Sequence, residues 1–236
     1  MRKLLIIISL LLLPILSLAD IDDDCKKFTP AGVPEYDSKP GDQELCKLNY
    51  AVIHSCKTKT PIAVFEHLTK ASVTGSFKRK DNFRPDGDVT PNCRAQLEDY
   101  KGPTYDRGHM APAADNNASK EIMSESFFLS NMVPQVPNNN RGIWRILELN
   151  VRDMVIKTDG DFYVVSGTIY DDGYKTIGPG KVGVPTRLYK IIYDKKKDKV
   201  IAYLMPNEAL PVKDLPKYLT KVSDVEEATG MKFKFK

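Results

Sequence analysis

His109 stands in the stretch YDRGHMAPAAD, Tyr105 to Asp115, and is one of only three histidines in the chain. An imidazole, with an unperturbed pKa of about 6.5, can be neutral and basic near pH 7. Gly108 beside it removes a Cβ, so a backbone or a ligand can come close. Thirty-one residues later, Asn140 closes a run of three asparagines, and Arg141, Arg145, Glu148 and Arg152 follow at i, i+4, i+7, i+11 spacing. Three arginines around one acid suit an anionic ligand better than simple pairing does. The competing interpretation is a salt-bridged solvent face, since Arg145 with Glu148 and Glu148 with Arg152 have pairing separations. Hydrolysis of a phosphodiester by water needs a neutral base, a cation for the charge building on the phosphoryl oxygens, and help for the leaving oxygen. Magnesium would supply the cation. It takes hard oxygen donors and keeps several waters, so one Asn amide oxygen and an outer-sphere carboxylate suffice without a dense acidic cluster.

The elements that must position these residues are partly legible. Over Asn138 to Lys157, Trp144, Leu147, Val151, Met154 and Val155 share one broad apolar face at about 100° per residue, which predicts a helix with the arginine stripe on its other side. The asparagine run offers N-cap residues at the positive helix end. Tyr50 to Cys56 and Pro61 to Thr69 are β-rich runs joined by a polar KTKT, a hairpin pattern. His54 and His67 lie in these strands as structural residues. Asp161 to Tyr170, Arg187 to Asp194 and Lys199 to Asn207 form a second β-rich block, with a lysine-rich hairpin turn between the last two. Ser223 with Glu226 reads as a capping box for a short helix that Gly230 ends.

The first 19 residues have a basic start, a leucine-rich run broken by Pro14 and a small-residue end, the pattern of a secretory signal peptide. No second apolar run suggests a membrane span, so no membrane association is expected after cleavage. Residues 20–48 read as an irregular N-terminal arm rich in Asp, Pro and Gly, and residues 49–236 as one domain without repeats or linkers. The four cysteines, Cys25, Cys46, Cys56 and Cys93, make no C-x-x-C pair of the kind zinc sites favour. With export implied, they predict two disulfides in any of three pairings. The net charge of +4 permits an anionic partner without demanding one. The lysines of DKKKDK and of the tail KFKFK fit solvated loops and strand edges.

YDRGHMAPAAD followed by FFLSNMVPQVPNNNRGIWRILE resembles the DRGH region of the DNA/RNA non-specific endonuclease family, whose active site is a ββα-metal (His-Me finger) unit. The resemblance runs from about Asn49 to the tail. It implies an α+β fold: a central antiparallel β-sheet flanked by helices, with the His109 strand or loop packed against the Asn140 helix. It also implies that His109 is the general base and that Asp106, Arg107 and Gly108 complete the motif. Asn140, four residues before Trp144, would be the sole direct protein ligand to Mg2+, for which Mn2+ can substitute, with Asn139 as the alternative register. Glu148 would hold metal-bound water, and Arg152 would lie near the phosphate or leaving group. Asn131 matches the asparagine of the family's S-N-x-x-P-Q segment. The upstream site arginine matches Arg79, or alternatively Arg84. The implied activity is a secreted or periplasmic, Mg-dependent cleavage of DNA and RNA through backbone contacts with little sequence preference. The alternatives are a nucleic-acid-binding module that does not cut and, more remotely, a glycosidase using two carboxylates.

Overall fold

In the run Thr60–Thr69, Val64 and Leu68 point to one side and Ala63 and Phe65 to the other, so a strand here must be covered on both faces. That is how it is placed. A computed structural model of the chain describes residues 23–102 and 104–235; the predicted signal peptide lies outside the described residues. Seven strands form the central sheet: β1 (Gln43–Cys46), β2 (Ala51–Ser55), β3 (Thr60–Thr69), β6 (Asp161–Ile169), β9 (Arg187–Asp194), β10 (Lys199–Pro206) and β11 (Leu219–Thr220), neighbours in that order and all antiparallel. Two further ribbons pair β4 (Asp106–His109) with β5 (Met132–Gln135) and β7 (Thr176–Ile177) with β8 (Val182–Gly183). The helices are α1 (Lys70–Val73), α2 (Lys120–Glu125), α3 (Arg145–Thr158) and α4 (Val222–Thr229). The fold class is therefore α+β with a central antiparallel sheet, and both predicted hairpins are present.

Each face of the sheet has its own core. On one, Val52, Val64, Leu68, Val164, Leu188 and Ile192 pack against Val133 of β5 and against Trp144, Leu147, Val151 and Val155 of the α3 segment. On the other, Ile53, Phe65, Val165 and Ile191 pack against Phe28, Val225 of α4 and Met231. The ββα unit is thus seated on one face by the apolar stripe that the 3.6-residue period marks.

Four local readings change. Asp23–Phe28 is a 3-10 helix and Gln43–Cys46 is the edge strand β1, so the stretch read as an irregular arm carries regular structure; its strand is too short to show a period. The helix around Trp144 opens with a π-helical turn, Asn139–Trp144, in which Gly142 adopts φ −105° and ψ −107°. Asn138 has helical angles and makes no side-chain capping bond; the backbone N–H groups of Asn139 and Asn140 both donate to Val136 O at 2.9 Å. Near the C-terminus, α4 starts at Val222, one residue before the predicted capping serine; the Asp224 carboxylate accepts from Lys221 N at 3.1 Å and supplies the cap, while Gly230 ends the helix at φ 69°. The cysteines form two disulfides, Cys25–Cys46 and Cys56–Cys93. His54 is buried with Nε2 on Cys93 O at 3.0 Å, and the His67 ring stacks on Tyr163. Among the described residues no helix is long and apolar enough to cross a membrane.

Candidate active site

The two halves of the site are held in register by one interlocked pair of side chains. β4 and β5 pair with Gly108 opposite Val133 and His109 opposite Met132. A Cβ on Gly108 would sit 2.7 Å from Gln135 Cβ and 2.0 Å from its Oε1, so the space that glycine leaves is filled by the Gln135 side chain rather than by a ligand. Gln135 Nε2 then donates to Asn139 Oδ1 at 2.8 Å, and Asn139 Nδ2 donates to Pro206 O and Glu208 O at the end of β10. Asn139 is fully buried with its amide spent on these bonds. Asn207 braces the same corner, accepting from Val136 N and donating to Pro134 O and Pro185 O. The next residue, Asn140, is therefore turned into the cleft.

That cleft, about 510 Å³, is bounded by Arg79, Asp81 and Phe83 on one side, by Asp106, Arg107 and His109 along β4, and by Asn140, Arg141, Arg145, Glu148 and Arg152 on the helix. His109 is wedged between aromatic rings, edge-on to Phe127 at 5.0 Å and tilted against Phe83 at 5.7 Å. Its Nε2 is buried without a hydrogen-bond partner, which leaves Nδ1 as the ring nitrogen open to the cleft. Burial, reinforced by the Arg79 and Arg107 cations, lowers the His109 pKa to about 3, so the ring is neutral at physiological pH.

All four residues of the predicted polar stripe reach the cleft, but neither of the predicted helix ion pairs forms among the described residues. Arg141 instead donates from Nε and Nη2 to both oxygens of Asp106, and Asn140 Nδ2 donates to Asp106 Oδ2 at 2.8 Å. With its Nδ2 so held, Asn140 has Oδ1 left as a hard acceptor in the cleft. Arg145 Nε donates to Arg141 O. Arg152 Nη1 donates to the buried Asp115 at 2.8 Å. Burial is the main cause that pushes the Glu148 pKa up, to about 7; nearby Asp115 adds to it, while Lys190 and Arg152 oppose.

No cluster of three or more His, Cys, Asp or Glu able to hold a metal occurs among the described residues. The available donor set is instead one amide oxygen, Asn140 Oδ1, with Glu148 facing the same space. This fits a hard divalent cation that keeps most of its waters, and it does not fit zinc, which takes three or four direct ligands from Cys, His and carboxylate side chains.

Residues 30–236 match the DNA/RNA non-specific endonuclease family. The chain belongs to that family. Curated relatives include mitochondrial nuclease EXOG of Xenopus laevis, 37% identical over 79% of this chain and 56% of its own length, and of Homo sapiens, 34% identical over 82% and 57%. Nuclease C1 of Cunninghamella echinulata is 37% identical over 78% of this chain and 80% of its own. The chain thus spans somewhat more than half of the EXOG proteins it matches. A solved EndoG chain, from its complex with the inhibitor EndoGI, superposes with a TM-score of 0.80 at 31% identity, covering 88% of this chain and 90% of that one.

Of the site residues expected from the sequence, His109, Arg107, Asn140, Glu148, Arg152 and Arg79 come together around the cleft. Arg107 lies over the Phe83 ring at 4.1 Å, and Arg79 over Phe127 at 5.2 Å. Arg84, the alternative to Arg79, lies over Phe128 and donates to Asn82 O and Ser124 O, away from the cleft lining. Asn131 does not reach the cleft. It is fully buried, accepts from Ala111 N and donates to Ala111 O and Ser126 O, each at 2.9 Å, and so ties down the chain just after His109. Sequence reasoning missed Phe83 and Phe127, which hold the imidazole, and Gln135, which keys the asparagine turn. Each acts across a separation that leaves no local period to read.

Proposed function

We propose that the chain is a divalent-metal-dependent endonuclease that hydrolyses phosphodiester bonds of DNA and RNA with little sequence preference, using magnesium, with manganese as a substitute. The observation that carries this is one cleft in which the neutral His109 ring on β4 faces Asn140 Oδ1 and Arg152 on the helix. A strand of nucleic acid fits the charge of the site: five arginines line it against three carboxylates, Asp81, Asp106 and Glu148. Contacts of this kind address phosphates and carry no base information. Those arginines also bear on the base itself, because a bound phosphate offsets Arg79 and Arg107, which otherwise lower the proton affinity of His109.

In this account His109 Nδ1 takes a proton from the attacking water as its oxygen bonds to phosphorus and the bond to the ester oxygen breaks. Arg152 supplies hydrogen bonds to the charge that develops on the phosphoryl or leaving oxygen. A divalent cation, when bound, supplies Lewis-acid stabilisation of that charge. Asn140 Oδ1 would hold it directly and Glu148 from the outer sphere. What supports export is the leader-like first 19 residues together with two disulfides, which persist in oxidising compartments. The test is a parallel assay of the purified chain on plasmid and on RNA with magnesium, manganese or chelator. Cleavage of both substrates with either cation and none in chelator is expected. Binding in a gel shift without cleavage under any condition contradicts catalysis and leaves a binding module.

A further inference from the structure

Arg152 is the helix arginine whose fork is both anchored and open. Arg141 spends Nε and Nη2 on Asp106, and Arg145 is exposed with its Nε on a carbonyl of its own helix. Arg152 by contrast spends one N–H, from Nη1, on Asp115 Oδ1 at 2.8 Å. A guanidinium has five N–H donors, so four are not spent on that bond. The anchoring carboxylate is 3% exposed, while the side chain it holds lines the cleft.

Asp115 is placed for this by the base's own loop. It sits six residues after His109, at the end of the segment that Asn131 clamps at Ala111, and its amide N–H donates to Pro112 O at 3.0 Å. The Asp115–Arg152 pair therefore joins the loop carrying the base to the helix carrying Asn140 and Glu148. A buried carboxylate is costly unless it is paired. Two cations offset part of this cost, Arg152 from the helix and Lys190 from β9, while burial still holds the Asp115 pKa above its ordinary value; Lys190 is 2% exposed beneath Trp144 and donates to Ser166 Oγ.

We infer that Asp115 is a positioning residue for catalysis: its carboxylate fixes the Arg152 guanidinium on the cleft, so that the remaining donors are already aimed where phosphate charge develops. This rests on the nuclease function proposed above. Arg152 is asked to stabilise charge at a defined point, and a long, flexible side chain does so efficiently only if its orientation is set before substrate arrives. A charge-assisted bond to a buried, rigid acceptor sets it.

The experiment compares wild type with Asp115→Ala, Asp115→Asn, Arg152→Ala and the double variant Asp115→Ala/Arg152→Ala, measuring kcat and KM on a short duplex alongside thermal melting. Asp115→Ala is expected to lower kcat by about 10- to 100-fold with a small change in KM. Asp115→Asn, which keeps the acceptor oxygen, should recover part of that loss. The double variant should be no slower than Arg152→Ala alone, since the two act as a unit. The decisive readout is rescue: about 50 mM guanidinium chloride, compared with sodium chloride at equal ionic strength, should raise the kcat of Arg152→Ala several-fold and leave the double variant unchanged. Equal rescue of both, or wild-type kcat in folded Asp115→Ala, overturns the inference; if Asp115→Ala does not fold, wild-type kcat in folded Asp115→Asn does so instead. No cleavage by wild type overturns the nuclease function itself, a separate outcome.

Discussion

At the scale of single residues, the protonation state of His109 has a thermodynamic consequence. Its folded pKa is about 3, against about 6.5 for the unfolded chain. Between those values the unfolded chain binds a proton that the folded ring refuses, so stability is complete above about pH 6.5 and is lost as pH falls through the window. Urea unfolding in chelator, from about pH 8 to about pH 5, should show wild type losing more stability than His109→Phe. Equal losses would mean that the ring is not buried against its arginines. His54 shifts in the same direction but is common to both proteins and cancels. The two asparagines separate just as sharply. Asn139→Ala should cost about 1–3 kcal/mol of stability by stranding its buried partners, whereas Asn140→Ala should melt almost normally and lose about 10²-fold or more in turnover. The reverse pattern would shift the metal ligand by one residue. His109 was legible from its type and setting. The choice between Asn139 and Asn140 was not, because it depends on Gln135 and on two carbonyls more than sixty residues away.

Among the elements, the apolar face of α3 was legible because all five marked residues, Trp144, Leu147, Val151, Met154 and Val155, obey one helical period and pack into the core on one sheet face. The turn that precedes them was not. A π-helical opening through Gly142 shifts the phase of the first residues, and nothing in the local pattern of asparagines distinguishes it from a capped α-helix. The polar stripe also illustrates the limit of spacing arguments: Glu148 stands four residues from Arg152 within the helix, yet Arg152 pairs with Asp115, and Arg141 pairs with Asp106, both acids on the His109 segment, where tertiary packing provides buried or better-aligned acceptors. The β4–β5 ribbon is the element most sensitive to a small change. Gly108→Ala forces its new Cβ against Gln135, so a loss of about 1–3 kcal/mol, with a fall in activity from displacement of the Asn139–Asn140 turn, is expected in melting and turnover assays. An alanine variant as stable and active as wild type would show that this interlock does not set the register of the site.

Over the whole molecule, the site occupies one face of the sheet and the Cys25–Cys46 disulfide secures the other. The bonds close loops of 21 and 37 residues in sequence separation, which on chain entropy is worth about 3 and about 4 kcal/mol. Cys25→Ala/Cys46→Ala is therefore expected to lower the melting temperature by several degrees, about 2–4 °C per kcal/mol, while kcat stays near wild type. An unchanged melting temperature would remove the stabilising role of that bond. Two disulfides follow from four cysteines and a leader, but their pairing waits on the fold, because Cys46 lies on an edge strand that its composition hides and Cys93 reaches Cys56 only through a 3-10 turn. The central claim is that one cleft performs hydrolysis with His109 as its base. Its most direct test is the rate of supercoiled plasmid cleavage in magnesium by wild type and by His109→Ala, both shown to be folded by melting. The account predicts rapid cleavage by wild type and a loss of about 10²-fold or more in the variant; a variant that cuts at the wild-type rate would contradict it.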